Sequence, residues 1–314
     1  MVLKKDPRNN QNTFTYDTQG RLTRDDDAAA GFQTLARTAA GLSFTVTHNS
    51  ALSRTTTVQG QQTPTDDQQS TVTLPSGLQE ILLERRNGLT TQTAPDGTIT
   101  NTQLGPDPRW QMQAPLAKSE SITTPGNLTR NQTFNRVVSL SNPADPLTLV
   151  TQNDTTTING RNYTNNYTAA TRTFVFNTPA GRTTTTTNDT QGRPTTQTFA
   201  NLNAANYGYD ARGRLATATF GSGPEARGYS YGYFSSGAAN GALASITNPL
   251  AQITGFSYDA ALRVNQITLP DARVIGLGRD ANGNLISVTP PGRPAHTLTY
   301  NNVNLLASYT PPAI

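Results

Sequence analysis

Cysteine is absent from this 314-residue chain, which excludes disulfides and thiolate metal sites and leaves the redox compartment unreadable. Histidine is almost absent: His48 and His296 cannot by themselves make a metal triad or settle a catalytic one. Lysine is confined to Lys4, Lys5 and Lys118, so the formal charge of +4 rests on arginines that mostly stand singly. No basic stripe able to neutralise a phosphate backbone results, and no nucleic-acid partner is expected. Long apolar runs are also missing. No stretch approaches the roughly 18 residues needed to span a bilayer. Met1-Val2-Leu3-Lys4-Lys5-Asp6 lacks the apolar segment that follows the charges of a signal peptide. Action outside a cell would need another export route or a missing upstream portion.

Apolar residues make up 34% and charged residues 14% of the chain, against roughly 45 to 50% and 25% in ordinary soluble proteins. Small polar residues fill the gap, above all Thr at about a sixth of all positions. Thr is β-branched and suits a pleated, half-buried surface, so the chain reads as strand-rich with polar faces. Disorder is the lesser reading, because disordered chains usually combine high net charge with few aromatics. It has most support over residues 1–12 and 59–71, where Gln, Asp, Asn and Thr run with little apolar relief.

A short pattern recurs: an aromatic residue, Asp, spacers, Gly, Arg or Asn, then an apolar residue. It reads Tyr16-Asp17-Thr18-Gln19-Gly20-Arg21-Leu22 and again Tyr209-Asp210-Ala211-Arg212-Gly213-Arg214-Leu215. Aligned on the acid, further copies fall at Asp189 (with Gly192), at Tyr258-Asp259, at Asp280 (with Gly283 and Leu285) and at Tyr300-Asn301. The steps from Asp189 are 21, 49, 21 and 21 residues. So short a unit cannot bury a core alone, and its copies must stack. Two β-forming runs flank each motif, which gives one hairpin per repeat. Asp accepts backbone N–H bonds two residues on and Gly supplies positive φ, while Leu points toward the core. Tyr places its ring at the core edge, where the hydroxyl can find a partner, and stacking sets Tyr above Tyr and Leu above Leu. Where Gly is replaced, in Tyr258-Asp259-Ala260-Ala261-Leu262-Arg263-Val264, an altered turn is expected.

The first half is less regular. Turn signals such as Pro75-Ser76-Gly77, Arg86-Asn87-Gly88, Pro95-Asp96-Gly97 and Pro125-Gly126-Asn127 separate Thr-rich strand candidates, as in an all-β fold. Residues 79–84 favour a strand over a helical turn. Residues 26–40, with Ala28-Ala29-Ala30 and Leu35-Ala36-Arg37, are the expected helical exception. The division is into degenerate β repeats over 1–150, with a capping region as the alternative, and a repeat array over 151–314.

The Tyr-Asp-x-x-Gly-Arg-Leu motif at a period of 21 resembles the YD-repeat, or Rhs-repeat, family. Asp280-Ala281-Asn282-Gly283-Asn284-Leu285 and the run from His296 to Tyr300 strengthen the likeness. The specific part covers residues 187–314, with the Tyr16 motif as an isolated match. The resemblance implies an all-β strip of antiparallel hairpins that spirals into a hollow shell. In bacterial toxins and toxin-complex components such shells enclose a C-terminal toxic domain, and teneurins carry a similar shell. Family members with cargo continue into a self-cleaving aspartyl protease and a toxin, neither of which follows Pro311-Pro312-Ala313-Ile314 here. An uncapped strip would expose strand edges, so the chain is expected to belong to a longer polypeptide or to self-associate.

Chemistry beyond construction is sparse. Asp25-Asp26-Asp27 and Asp66-Asp67 read as solvated loops or weak cation contacts, and the repeat acids are committed to turns. No phosphate-cradling loop or dinucleotide fingerprint is present. The Asn-x-Thr triplets at Asn127, Asn131, Asn153, Asn162, Asn166 and Asn188 follow from composition, and no attached glycan is assigned. No catalytic residue, cofactor or metal is assigned. The reading is a non-enzymatic shell or fibre wall, secreted or at a bacterial surface. The rivals are an adhesive β-solenoid that binds a glycan and a β-helical polysaccharide lyase or hydrolase.

Overall fold

The computed structural model describes residues 2–200 and 202–312. They form 27 strands and one short 3-10 turn, Gly223–Glu225. Strands pair antiparallel with their neighbours in the chain, as Ala205–Tyr209 does with Leu215–Phe220 and Thr129–Leu140 with Leu149–Ile158. The β-helical rivals require coils of parallel strands, and this protein is built instead from antiparallel hairpins.

Two compact units are present. One comprises Met1–Thr15, Asp26–Gly31 and Asn203–Ile314, and the other Tyr16–Asp25 and Phe32–Leu202. In both, most strand residues are half-buried rather than buried. Ala205 and Ala218 are the buried apolar residues among those described, and Asp107 is the buried polar one. The motif leucines Leu22, Leu215 and Leu285 are half-buried, so the expected core reduces to cross-strand contacts. In a single-layer strip such pairs, rather than a packed interior, carry the apolar stabilisation.

Two local readings are overturned. Residues 26–40 hold no helix: Leu22–Asp26 and Phe32–Ala40 are strands, and Ala28 to Ala30 form the turn between them. Three alanines favour helix by only tenths of a kcal/mol each, too little to nucleate one beside a strand that pairs Leu35 with His48. Asp27 builds the turn by accepting the amides of Ala29 and Gly31, both at 2.8 Å. Nor are the polar segments disordered. Val2–Lys5 pairs with Gln11–Tyr16, and Thr55–Gln62 with Gln68–Thr73. Ladder bonds and cross-strand Thr and Gln pairs supply the order there in place of apolar burial.

One turn geometry recurs through both units. The N–H of its first residue donates to the carbonyl four residues on, and the fourth residue, left-handed, donates back to the first. Beside the turns at Asp210, Asp259 and Asp280 the ladder carries a register shift, at Gly208/Tyr209, Ser257/Tyr258 and Gly278/Arg279, whereas the strands joined at Leu269 pair without one. In the last repeats such turns begin at Asn248, Asp259, Leu269, Asp280 and Asn301. Asp-type turns therefore alternate with proline-type turns such as Leu269-Pro270-Asp271-Ala272-Arg273, and consecutive turns lie at opposite ends of the strands. Proline presets the first loop residue and so performs the task that the Asp carboxylate performs at the other end.

Candidate functional site

The repeat motif folds as a closed electrostatic device. Asp210 Oδ1 accepts the amides of Arg212 and Arg214, both at 2.9 Å. Its Oδ2 receives Arg214 Nε at 2.8 Å and Nη2 at 2.6 Å. Asp17 binds the amides of Gln19 and Arg21 and the Arg21 side chain in the same way. Asp189 does so with Gln191 and Arg193, and Asp259 with Ala261 and Arg263. At Asp280 the amide and side chain of Asn284 take both arginine roles, each at 2.9 Å. The sequence reading placed the amide two residues on. It missed the amide four residues on and the arginine that folds back over the carboxylate.

These contacts hold the acids ionised. The Arg214 guanidinium and then its amide keep the Asp210 carboxyl below the usual range, and the Arg21 amide leads at Asp17. Burial pushes Asp189 and Asp280 up, but the donors of Arg193 and Asn284 outweigh it. A carboxylate held ionised and filled with donors is a poor general acid.

The aromatic and the apolar ends of the motif are cross-strand partners: Tyr209 with Leu215, Tyr258 with Val264, Tyr300 with Leu306. Arg279 holds the aromatic position opposite Leu285. Tyr16 is exposed. Successive hairpins are joined by tyrosine hydroxyls. Tyr233 donates to the Leu215 carbonyl and Tyr258 to that of Leu243, both at 2.8 Å. Arg214 also lies over the Tyr233 ring at 4.1 Å, so the arginine that locks one turn covers the aromatic of the next hairpin.

Gly20, Gly192, Gly213 and Gly283 occupy the left-handed position. Leu262 takes that place with φ 59° and keeps the same backbone pair, Asp259 N to Arg263 O and Leu262 N to Asp259 O. The expected altered turn does not occur. The ladder and the Asp259–Arg263 pair hold the geometry while Leu262 bears the strain. Leu262→Gly is therefore expected to stabilise the protein by about 0.5 to 1 kcal/mol: a left-handed side chain costs about 1–2 kcal/mol and glycine's extra chain entropy returns part of it. Urea unfolding of the variant measures this, and unchanged or lower stability would count against strain at the site.

Other candidate groups are engaged locally. His48 Nε2 lies 2.7 Å from Gln33 Oε1, and His296 Nδ1 lies 2.6 Å from the Tyr309 hydroxyl with the rings stacked. Asp66 meets Gln62 and Arg86, and Asp67 accepts the Arg86 amide. Three Asx turns escaped the motif search: Asp6, 21 residues before Asp27; Asp27 itself; and Asn248, which accepts the amides of Leu250 and Gln252. The interval of 21 between Asp6 and Asp27 was the available signal. Asp107, the fully buried acid among the described residues, also went unread. Its Oδ1 accepts the amides of Arg109 and Trp110 at 2.7 and 3.0 Å, and its Oδ2 accepts Arg136 Nη1 at 3.0 Å. Arg136 also grips Asp154 through Nε and Nη2 at 2.7 and 2.8 Å.

A family model described as Teneurin YD-shell matches residues 1–313. The chain belongs to this family. The YD-shell match thus takes in the region between the Tyr16 motif and residue 187, where the motif itself is weak. No curated protein matches the chain. Solved structures similar to it include the crystal structure of TcdB2-TccC3-Cdc42, at 14% identity and a TM-score of 0.44. A Photorhabdus luminescens Tc holotoxin pore follows at 14% and 0.48, and TcdB2-TccC3-TEV at 15% and 0.47. Each match covers 96% of this chain and 19% of the other, so the YD-shell chain spans about a fifth of their length. Among the described residues no helix is long and apolar enough to cross a membrane.

Proposed function

We propose that this YD-shell chain is a wall segment: a non-enzymatic structural protein that works outside a bacterial cell and encloses cargo supplied elsewhere. The observation that carries the reading is the YD-shell match over residues 1–313. The commitment of the repeat carboxylates to turns supports it. Acids filled by amides and arginines are available for folding and poorly suited to proton transfer. On this reading residues 1–150 are degenerate repeats of the strip that continues through 151–314, and its partners are a longer parent chain or further copies meeting at strand edges. Electron microscopy of the purified chain, with light scattering for its mass, tests the proposal. Curved or closed walls, alone or in higher assemblies, are expected. Cleavage of a polysaccharide, or micromolar glycan binding by a monomer without wall-like particles, would overturn it.

A further inference from the structure

The first hairpin makes a set of contacts that the repeat motif does not call for. Val2–Lys5 pairs with Gln11–Tyr16, and the tip between them is Asp6-Pro7-Arg8-Asn9-Asn10. Asp6 organises this tip by accepting the amides of Arg8 and Asn10 at 2.9 and 2.8 Å and the Asn10 side chain at 2.8 Å. The organised tip meets the turns that begin at Asp280 and Asn301, within the same compact unit. Asn282 Nδ2 donates to Asp6 Oδ2 at 2.7 Å. Arg8 donates to the Asn301 carbonyl at 2.5 Å, to Asn304 Oδ1 at 3.3 Å and to the Tyr300 carbonyl at 3.4 Å. Its Nη1 also lies 3.6 Å from Asp280 Oδ2. Asn304 Oδ1 gathers the two acceptor turns, since Asn282 and Asn284 reach it at 2.9 and 2.8 Å.

We infer that the first hairpin is a clasp, with Arg8 as its pin, that locks the turns at Asp280 and Asn301 into one cooperative polar joint. Three observations support this. The joined residues lie 272 to 296 positions apart in the sequence, so local chain preference cannot explain the contact. Most of the Arg8 and Asp280 side-chain surface is covered, at 24% and 13% exposure. Of the strands the clasp holds, Leu306–Thr310 is exposed along its whole length, and His296–Tyr300 alternates between half-buried and exposed residues. Little apolar burial holds them, so polar contacts at the turn set their opening rate.

Hydrogen exchange on the full chain tests the clasp. In Arg8→Ala the amides of residues 301–310 are expected to lose protection by tenfold or more, together with those of residues 6–10. Amides of residues 99–158 should be unaffected. Arg8→Lys, which keeps the charge but lacks the fork that reaches two carbonyls, should fall between the two. Arg273→Ala, which removes the exposed pair with Asp271, should leave residues 301–310 alone. Protection of 301–310 within twofold of the parent in Arg8→Ala, or an equal loss in Arg273→Ala, would overturn the inference. The clasp does not rest on the shell reading, because exchange is read on the chain whatever it encloses.

Discussion

Arg136→Leu is expected to destabilise the unit that contains it by about 3 to 5 kcal/mol, the loss associated with removing one partner of a buried ion pair. Asp107 is 1% exposed, and burial alone would push its carboxyl up. The amides of Arg109 and Trp110 and the Arg136 guanidinium reverse that and hold it below the usual range. Leucine would leave both amides in place but remove the counter-charge that reaches the buried oxygen at 3.0 Å. Asp154→Asn is the informative companion. It keeps the Asp107–Arg136 pair and loses only the partly exposed half of the network, so about 1 kcal/mol is expected. Urea unfolding with matched slopes distinguishes the two. A loss under about 1 kcal/mol in Arg136→Leu would mean that the network carries no stability.

The position of that network suggests why a charge is buried in so polar a strip. Arg136 and Asp154 are direct partners across Thr129–Leu140 and Leu149–Ile158, strands rich in Thr, Asn and Gln. Register is weakly specified when both faces are polar, since a one-residue slip moves no large apolar set out of a core. A fork gripping one carboxylate across the strand and a second on Ile99–Asp107 penalises any slip.

What could be read from the sequence follows the same physics. The Asp turns were legible because their chemistry is local: acid, glycine and arginine fall within five residues, and the period of 21 repeats them. The proline-type turns halfway between were harder to see. Ala251 and Ala272 hold left-handed positions there that a glycine search passes over. Asp107, Arg136 and Asp154 come together only through strand register, at separations of 29 and 18 residues that no motif encodes. The helix expected over residues 26–40 failed for the opposite reason. Alanine is a local signal, and here the pairing of Phe32–Ala40 with Ser43–Ser50 outweighs it. The tip of the first hairpin was legible as a turn but not as a clasp, because its partners lie near the far end of the sequence.

Acid should loosen the whole array, and this is the second large effect. Nine aspartates, at positions 6, 17, 96, 107, 189, 210, 259, 271 and 280, sit below their ordinary value in the folded protein. At Asp6 burial works against this, yet the Asn10 and Asn282 side chains and the amides of Asn10 and Arg8 bring the value to about 2 from 3.8. A depressed carboxyl contributes stability that is fully present above its unfolded value and is lost as pH falls through the folded one. The window therefore opens near pH 4 and, at Asp6, closes near pH 2. Inside it the unfolded chain binds more protons than the folded one, and unfolding takes up protons at many turns together. The urea midpoint is expected to be flat from pH 7 to about 5 and to drop steeply below about 4. Asn248 supplies an internal control, because it makes the same pair of amide bonds with a group that does not titrate. Exchange protection at Leu250 and Gln252 should outlast that at Arg212 and Arg214 as the pH falls. A midpoint unchanged between pH 5 and pH 2 would show that the carboxylates contribute nothing as anions, and that the turns are held by their backbone bonds alone.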